Sequence, residues 1–345
     1  MIDSLAVSPA RRAGADAVWR ALSDARRVAI STHVNADGDG CGSGAAMARL
    51  LSQRGVDAFI VNPTPWPAMF RFLLGDDVRD RSDEGAAALA SADRVLVLDI
   101  SDVGRLGTLA DALRAHPERA LVIDHHQPGR EVPGDIAMSD VSACATGELV
   151  YDFAVALDFT ITAAIATALY TAILTDTGGF RYSNTSPRCH YVAAELLRAG
   201  VDPEAMYRRV YASIPVGRLR LLQEALATLE ADPDTGLAWI EIAAGALERH
   251  NVRSEDLDGI AEHPRSVAGT RLAILFRDLG HGKVKVSFRT TGDVDAHAFA
   301  RAFGGGGHAK ASGALIPGTL ADVKQKVLDA ARVSLASGAR QVHPP

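Results

Sequence analysis

The sequence predicts an α/β protein: a parallel-sheet domain followed by a smaller α/β domain, with a cleft between them. Three observations carry that reading. In the first half, short β-branched runs each lead into a helical stretch, the pattern of parallel strands joined by crossover helices. After residue 236, strand-like runs return in close succession, the last alternating strictly between apolar and polar residues. Finally, 345 residues exceed one ordinary core and suit two domains.

The elements follow in order. RVAIST (27 to 32) reads as a strand, HVNADGDG as a polar loop, and CGSGAAMARLLSQRG as a helix closed by Gly55. DAFIV, RVLVLD (94 to 99) and ALVID (120 to 124) read as further buried strands. Helical patterns cover about 161 to 175 and 189 to 199, the second stopping at Gly200, and VGRLRLLQEALATLE (216 to 230) reads as a connecting helix. LAWIEI, RLAILFRDL and KVKVSFRT are then strands, and DAHAFARAF a helix leading into GGGGHAKASG. The expected domains are 1 to 205 and 236 to 340, with 206 to 235 as the helical linker.

Composition narrows the function. Charged residues at 23% and apolar residues at 48% are ordinary for a globular chain and argue against disorder. Cys41, Cys144 and Cys189 have no paired spacing, which points to a reducing, cytoplasmic setting. Asp16, Arg20 and Asp24 rule out a signal peptide at the N-terminus. The stretch 159 to 175 lacks charge but holds five threonines between Asp158 and Asp176, so it reads as a buried helix and not a membrane span. A net charge of −6 is poor material for gripping long duplex nucleic acid. Residues 271 to 310 nevertheless hold seven Lys/Arg against three acids, which suits a small anionic ligand.

The polar loop between residues 33 and 40 raises the central question. Alone it could be a solvated turn. In open parallel sheets, however, ligands gather at the carboxyl ends of strands, and the acidic clusters lie there. His33, Asp37 and Asp39 follow the first strand; Asp99 ends RVLVLD; Asp124, His125 and His126 end ALVID; Asp176 ends the apolar helix. Side-by-side burial of so many carboxylates is costly unless cations neutralise them. Carboxylates with imidazoles favour Mn²⁺, Mg²⁺ or a similar ion, and the ligand number suits two metals and phosphoryl chemistry.

HVNADGDGCGS, LDISD, DHH and TDTGGF, in that order, resemble the four motifs of the DHH phosphoesterase superfamily, and GGGGHAKASG resembles the signature of its DHHA1 accessory domain. The resemblance is to the branch of nanoRNases (oligoribonucleases) and pAp phosphatases, which includes cyclic di-AMP and pApA phosphodiesterases. It implies two divalent ions, Mn²⁺ first, with Mg²⁺ or Co²⁺ as substitutes. One ion falls to His33, Asp37 and Asp99, the other to Asp39, Asp99, His125 and Asp176, with Asp99 bridging. His126 then faces the phosphate as a catalytic residue beside Asp99. Arg289 would pair with a terminal phosphate, and Gly305, Gly306, Gly307 and His308 would form a phosphate cradle. The implied reaction is hydrolysis of short RNA, pApA, pAp or cyclic di-AMP to mononucleotides by a hydroxide activated between the ions, in a homodimeric, cytoplasmic enzyme. An inorganic pyrophosphatase or RecJ-like exonuclease of the same superfamily, or a silent nucleotide sensor, are the rival readings. Asp102 is expected to cap a helix. Arg181, Tyr182 and Trp66 are secondary candidates for base contact, and Gly42 and Ser43 for anion contact.

Overall fold

The computed structural model describes residues 5–338 apart from residues 258 and 308, and divides the chain into two compact units, 1–213 and 214–345. The first unit contains α1 (Pro9–Leu22), β1 (Arg27–Ser31), α2 (Gly38–Gln53), β2 (Asp57–Ile60), β3 (Arg79–Asp80), α3 (Ala86–Ala90) and β4 (Arg94–Leu98). It continues with α4 (Ala110–Arg114), β5 (Ala120–Asp124), β6 (Ile136–Ser139), α5 (Thr146–Ala156), α6 (Ala163–Asp176), α7 (Pro187–Arg198) and α8 (Pro203–Val210). The six strands form a wholly parallel sheet in the order β3-β2-β1-β4-β5-β6.

Alternation along each strand feeds two cores. Val28, Ile30, Leu96, Leu98, Leu121 and Ile123 pack on the face covered by α1, α2, α5 and α6, whereas Ala29, Phe59, Val95 and Val97 pack on the other with Leu106 and Leu109. Both faces are therefore buried, and each large side chain taken from water contributes roughly 1.5–3 kcal/mol. Strand order reverses between β1 and β4, since β2 leaves β1 on one side and β4 lies on the other. That switch point opens a crevice at the carboxyl ends of the two strands, and it fixes where a site can form.

α2 and α6 approach closely. A Cβ on Gly42 would lie 2.4 Å from the carbonyl oxygen of Ala168, so this glycine serves helix packing. Ser43 is fully buried and donates to Asp39. The uncharged run long enough to approach a membrane span is α6, largely buried; among the described residues no helix is long and apolar enough to cross a membrane.

The second unit contains α9 (Val216–Leu226), β7 (Glu230–Asp232), β8 (Leu237–Ile242), α10 (Ala246–Arg249), α11 (Glu262–Arg265), β9 (Leu272–Asp278) and β10 (Lys283–Thr290). It ends with α12 (Ala296–Arg301), β11 (Gly306–Gly307), β12 (Ala311–Pro317) and α13 (Leu320–Gly338). Its sheet, β11-β12-β10-β9-β8-β7, is mixed, with β8 and β9 parallel and the other pairs antiparallel. The expected connecting helix is α9; its Leu221 and Ala225 pack with Ile240 and Ile242 inside this unit.

Candidate metal centre

β1, β4 and β5 end side by side, and each delivers its polar residues to one crevice. The turn after β1 brings His33 and Asp37, and the first turn of α2 brings Asp39. β4 ends at Leu98 and is followed by Asp99, whose φ of 61° is left-handed, a conformation that Asp tolerates better than most residues. β5 ends at Asp124 and delivers His125 and His126. Asp176 arrives from the last turn of α6.

Among the described residues the donor atoms form three overlapping groups: His33 with Asp37 and Asp99, Asp39 with His125 and Asp176, and Asp99 with His125 and His126. On one side, His33 Nε2 lies 3.6 Å from Asp37 Oδ2 and 3.3 Å from Asp99 Oδ2. On the other, His125 Nε2 lies 3.8 Å from Asp39 Oδ2, 3.7 Å from Asp99 Oδ1 and 3.6 Å from Asp176 Oδ2. The two oxygens of Asp99 thus face different imidazoles. Donors sharing one ion at about 2.1 Å sit about 3.0–3.5 Å apart, so the clusters are close to coordination size.

The imidazoles are oriented for ligation. Nδ1–H of His33 donates to Val34 O at 3.0 Å, and Nδ1–H of His125 donates to Ala143 O at 3.2 Å. Each leaves Nε2 aimed at the carboxylates, and both Nε2 atoms are buried without a hydrogen-bond partner. A carbonyl holding one nitrogen while the other points into a nest of carboxylates is the arrangement of a metal-bound histidine. His126 differs: its Nδ1 is held by Asp124 Oδ1 at 2.8 Å and lies 3.5 Å from Asp99 Oδ1.

Electrostatics point the same way. Asp39 and Asp99 are almost fully buried. Burial, reinforced by neighbouring carboxylates, pushes Asp99 well above the usual carboxylate range, raises Asp39 and raises Asp176 to about 8. Against the effect of burial, Asp37 and Asp99 lift His33 to about 10, while His33 and the amides of Gly40 and Asp39 hold Asp37 down to about 2. The cluster therefore retains protons that a divalent cation would displace.

The carboxylates are not equally supported. Asp39 accepts from the amides of Thr146 (2.7 Å) and Gly147 (2.9 Å) and from Ser43 Oγ (3.1 Å). Asp99 accepts from Thr146 Oγ1 at 3.2 Å. Each hydrogen bond to a charge contributes roughly 1.5–3 kcal/mol, against a desolvation cost of several kcal/mol per ion. Asp39 is better supported than Asp99, so the demand for a cation falls most heavily on Asp99.

Sequence reading missed several of these supports. Asn184 donates from Nδ2 to Cys144 O (2.8 Å), Asp176 O (3.1 Å) and Asp176 Oδ2 (3.4 Å). Thr146 and Gly147 also carry contacts that no local motif announces, whereas Asp124, read from sequence with the acidic cluster, holds Nδ1 of His126. Thr146 opens α5, a helix the sequence reading did not identify, and its partners stand 47 and 107 positions away. Asp102 caps the turn Val103–Leu109 through Gly104 N (2.9 Å) and also holds Arg130 N (2.8 Å), as expected of a capping residue. Trp66 is buried in the core, so the stacking role considered for it is withdrawn. Arg181 is tied to Gly178 O at 2.6 Å, whereas Tyr182 is 46% exposed beside the same turn.

In the second unit, Arg289 stands on β10 opposite Ala311 of β12, and Gly307 pairs with the next β12 residue, Ser312. Its Nε donates to Glu262 Oε1 at 2.7 Å, and the other oxygen of Glu262 accepts from Arg265 Nε at 2.5 Å. The glycine run does not behave as a uniform cradle. The Gly305 amide is spent on Ala300 O, and a Cβ on Gly305 would lie 2.1 Å from Gly313 O, so this glycine serves strand packing. Lys310 is engaged by Gly292 O and Val294 O. His308 lies outside the described residues.

Comparison with known proteins adds an independent line. The profile of the DHH family, N-terminal domain, matches residues 27–173, and that of the DHHA1 domain matches residues 240–336. The bifunctional oligoribonuclease and PAP phosphatase NrnA of Thermus thermophilus is 33% identical over 308 residues, covering 89% of each chain. The protein of the same name from Bacillus subtilis is 25% identical over 86% of this chain and 91% of its own. Among solved structures, an exopolyphosphatase-related protein from Bacteroides fragilis superposes with a TM-score of 0.86 at 26% identity, covering 94% of this chain and 98% of that one.

Proposed function

The chain belongs to the DHH family, as a nucleotide phosphoesterase with a DHHA1 domain, and from that premise we propose that it hydrolyses short oligoribonucleotides and pAp to mononucleotides with two divalent ions. The observation that carries the proposal is the grouping of donor atoms as His33, Asp37 and Asp99 on one side and Asp39, His125 and Asp176 on the other, with Asp99 Oδ1 3.7 Å from His125 Nε2 and the unpartnered Nε2 atoms of His33 and His125 aimed one into each. His33, Asp37 and Asp99 would hold one ion; Asp39, Asp99, His125 and Asp176 the other. Mn²⁺ is our first assignment, with Mg²⁺ or Co²⁺ as substitutes. When bound, the ions supply Lewis acidity, lowering the pKa of water toward neutrality and neutralising charge on the phosphoryl oxygens.

The chain's own groups complete the work. Asp124, acting on Nδ1–H of His126, fixes that ring so that Nε2 can present a proton to the leaving oxygen, with the carboxylate stabilising the charged imidazolium. Arg289 is assigned to a terminal phosphate, its guanidinium oriented by Glu262. Gly306, Gly307 and His308 are assigned to the same phosphate, without Gly305. The substrate range extends by the same chemistry to pApA and cyclic di-AMP, and the enzyme is placed in the cytoplasm.

Product analysis tests this reading. Metal-free protein is supplied with Mn²⁺ or with chelator and given 5′-phosphorylated RNA of two to five nucleotides, pAp, pApA and cyclic di-AMP. Release of mononucleotides from the linear substrates, abolished by chelator, is the expected result. Turnover of pyrophosphate alone, or hydrolysis that ignores chelator, would overturn it.

A further inference from the structure

The turn from Cys144 to Glu148, at the start of α5, touches the ligands of the His125-side group, and of the other group only the shared Asp99, through the oxygen that faces His125. Thr146 is fully buried and makes two contacts at once. Its amide donates to Asp39 Oδ2 at 2.7 Å, and its hydroxyl donates to Asp99 Oδ1 at 3.2 Å, the oxygen that faces His125. The next amide, Gly147, takes Asp39 Oδ1. Two residues earlier, Cys144 O accepts from Asn184 Nδ2, the group that also reaches Asp176 Oδ2. Asp39, Asp99 Oδ1 and Asp176 are thus all referred to one turn.

The turn is itself anchored from behind. Glu148 Oε2 accepts from the Cys144 amide at 3.1 Å, and Glu148 Oε1 accepts from Arg11 Nη1 of α1 at 2.5 Å. Arg11 also holds Asp152 (2.8 Å) and Asp140 (2.7 Å). A rigid element with a buried ionic root on one side and three ligand contacts on the other is suited to fixing donor positions. The remaining donors are fixed differently. His33 is set by Val34 O, and Asp37 by the amides of Asp39 and Gly40.

We propose that Thr146 is a positioning residue that sets the His125-side ion selectively, by fixing Asp39 through its amide and the inner oxygen of Asp99 through its hydroxyl. This rests on the two-ion reading above and assigns one residue to one ion. A hydrogen bond to an unshared oxygen lone pair limits rotation of the Asp99 carboxylate and keeps Oδ1 turned toward His125. Replacement of Thr146 by Val preserves shape and both amide contacts while removing the hydroxyl alone.

The test is a titration of metal-free protein with Mn²⁺, followed by the loss of the free-ion paramagnetic resonance signal. Wild-type protein should take up two ions. T146V should bind one of them with unchanged affinity and the other roughly 10–100-fold more weakly, the usual effect of losing a group that orients a ligand. T146S, which keeps the hydroxyl, should restore it, and T146V combined with H125A should lose nothing further relative to H125A. If T146V has lost its metal-free melting transition, T146S and T146A carry the test: native binding in Ser with a weakened ion in Ala supports the proposal, and equal losses overturn it. Two ions bound by T146V with wild-type affinities, or both weakened alike, overturn this inference alone. Fewer than two ions in the wild-type protein overturn the two-ion reading and the inference with it.

Discussion

The charges of the two units are held in opposite ways. In the first, Asp39 and Asp99 are sunk into a crevice beside His33, and their hydrogen bonds come from fixed helix termini and a buried threonine. In the second, Arg289 is 26% exposed, and it is held by a single carboxylate that it shares with Arg265. The difference separates two tasks. Groups that act on a reacting phosphate gain most where water is excluded and nothing reorganises. A group proposed to recognise the end of a ligand must remain reachable, and Glu262 together with Phe288 O orients it.

Mutation of each side should break the contrast in its own way. The largest effect belongs to Asp99→Asn, which keeps a side chain suited to φ 61° but removes the shared charge. Activity should fall by more than roughly 10³-fold, beyond the loss of one stabilising donor, and the Mn²⁺-dependent rise in Tm should vanish. Turnover near wild type would remove Asp99 from its bridging place. Arg289→Ala should instead raise KM by roughly 10- to 100-fold for substrates with a terminal phosphate, the scale of one charged hydrogen bond. A chromogenic phosphodiester without that phosphate should be nearly unaffected; equal losses on both would remove Arg289 from recognition.

pH sharpens the contrast further. His33 is raised to about 10 and Asp176 to about 8, with Asp39 and Asp99 displaced in the same direction. The folded metal-free protein should therefore hold protons that the unfolded chain releases, and its stability is expected to fall as pH rises from 6 to 9. Asp37, held at about 2, acts only at much lower pH. Because ions replace those protons, the gain in Tm from Mn²⁺ should be larger at pH 8.5 than at pH 6. Calorimetry at the two pH values checks this, and a larger gain at pH 6 would contradict it. The smallest effect is that of Asp102→Ala. Loss of its cap should cost about 1 kcal/mol and lower Tm by about 2–4 °C, with Mn²⁺ affinity intact by titration.

The candidate donors were legible in the sequence because each sits just after a strand or at a helix end, where local pattern already tells of position; their division into two ligand sets is what the resemblance implied. The parallel sheet was legible for the same reason: β1, β4 and β5 are short β-branched runs with both faces buried. What supports the ligands was hidden. Thr146, Asn184 and Arg11 act across 47, 8 and 137 positions of chain, and only tertiary packing brings them together. Gly305 misled for a related reason. A glycine that admits a phosphate and one that admits a neighbouring strand look alike in sequence, and here Gly313 O occupies the space.

The most direct test of the shared-ligand metal pair is anomalous diffraction at the manganese edge from crystals grown with Mn²⁺. Two peaks per chain are expected, one beside His33 and Asp37 and one beside His125 and Asp176, with Asp99 between them. A single peak, or peaks that leave Asp99 uncoordinated, would contradict it.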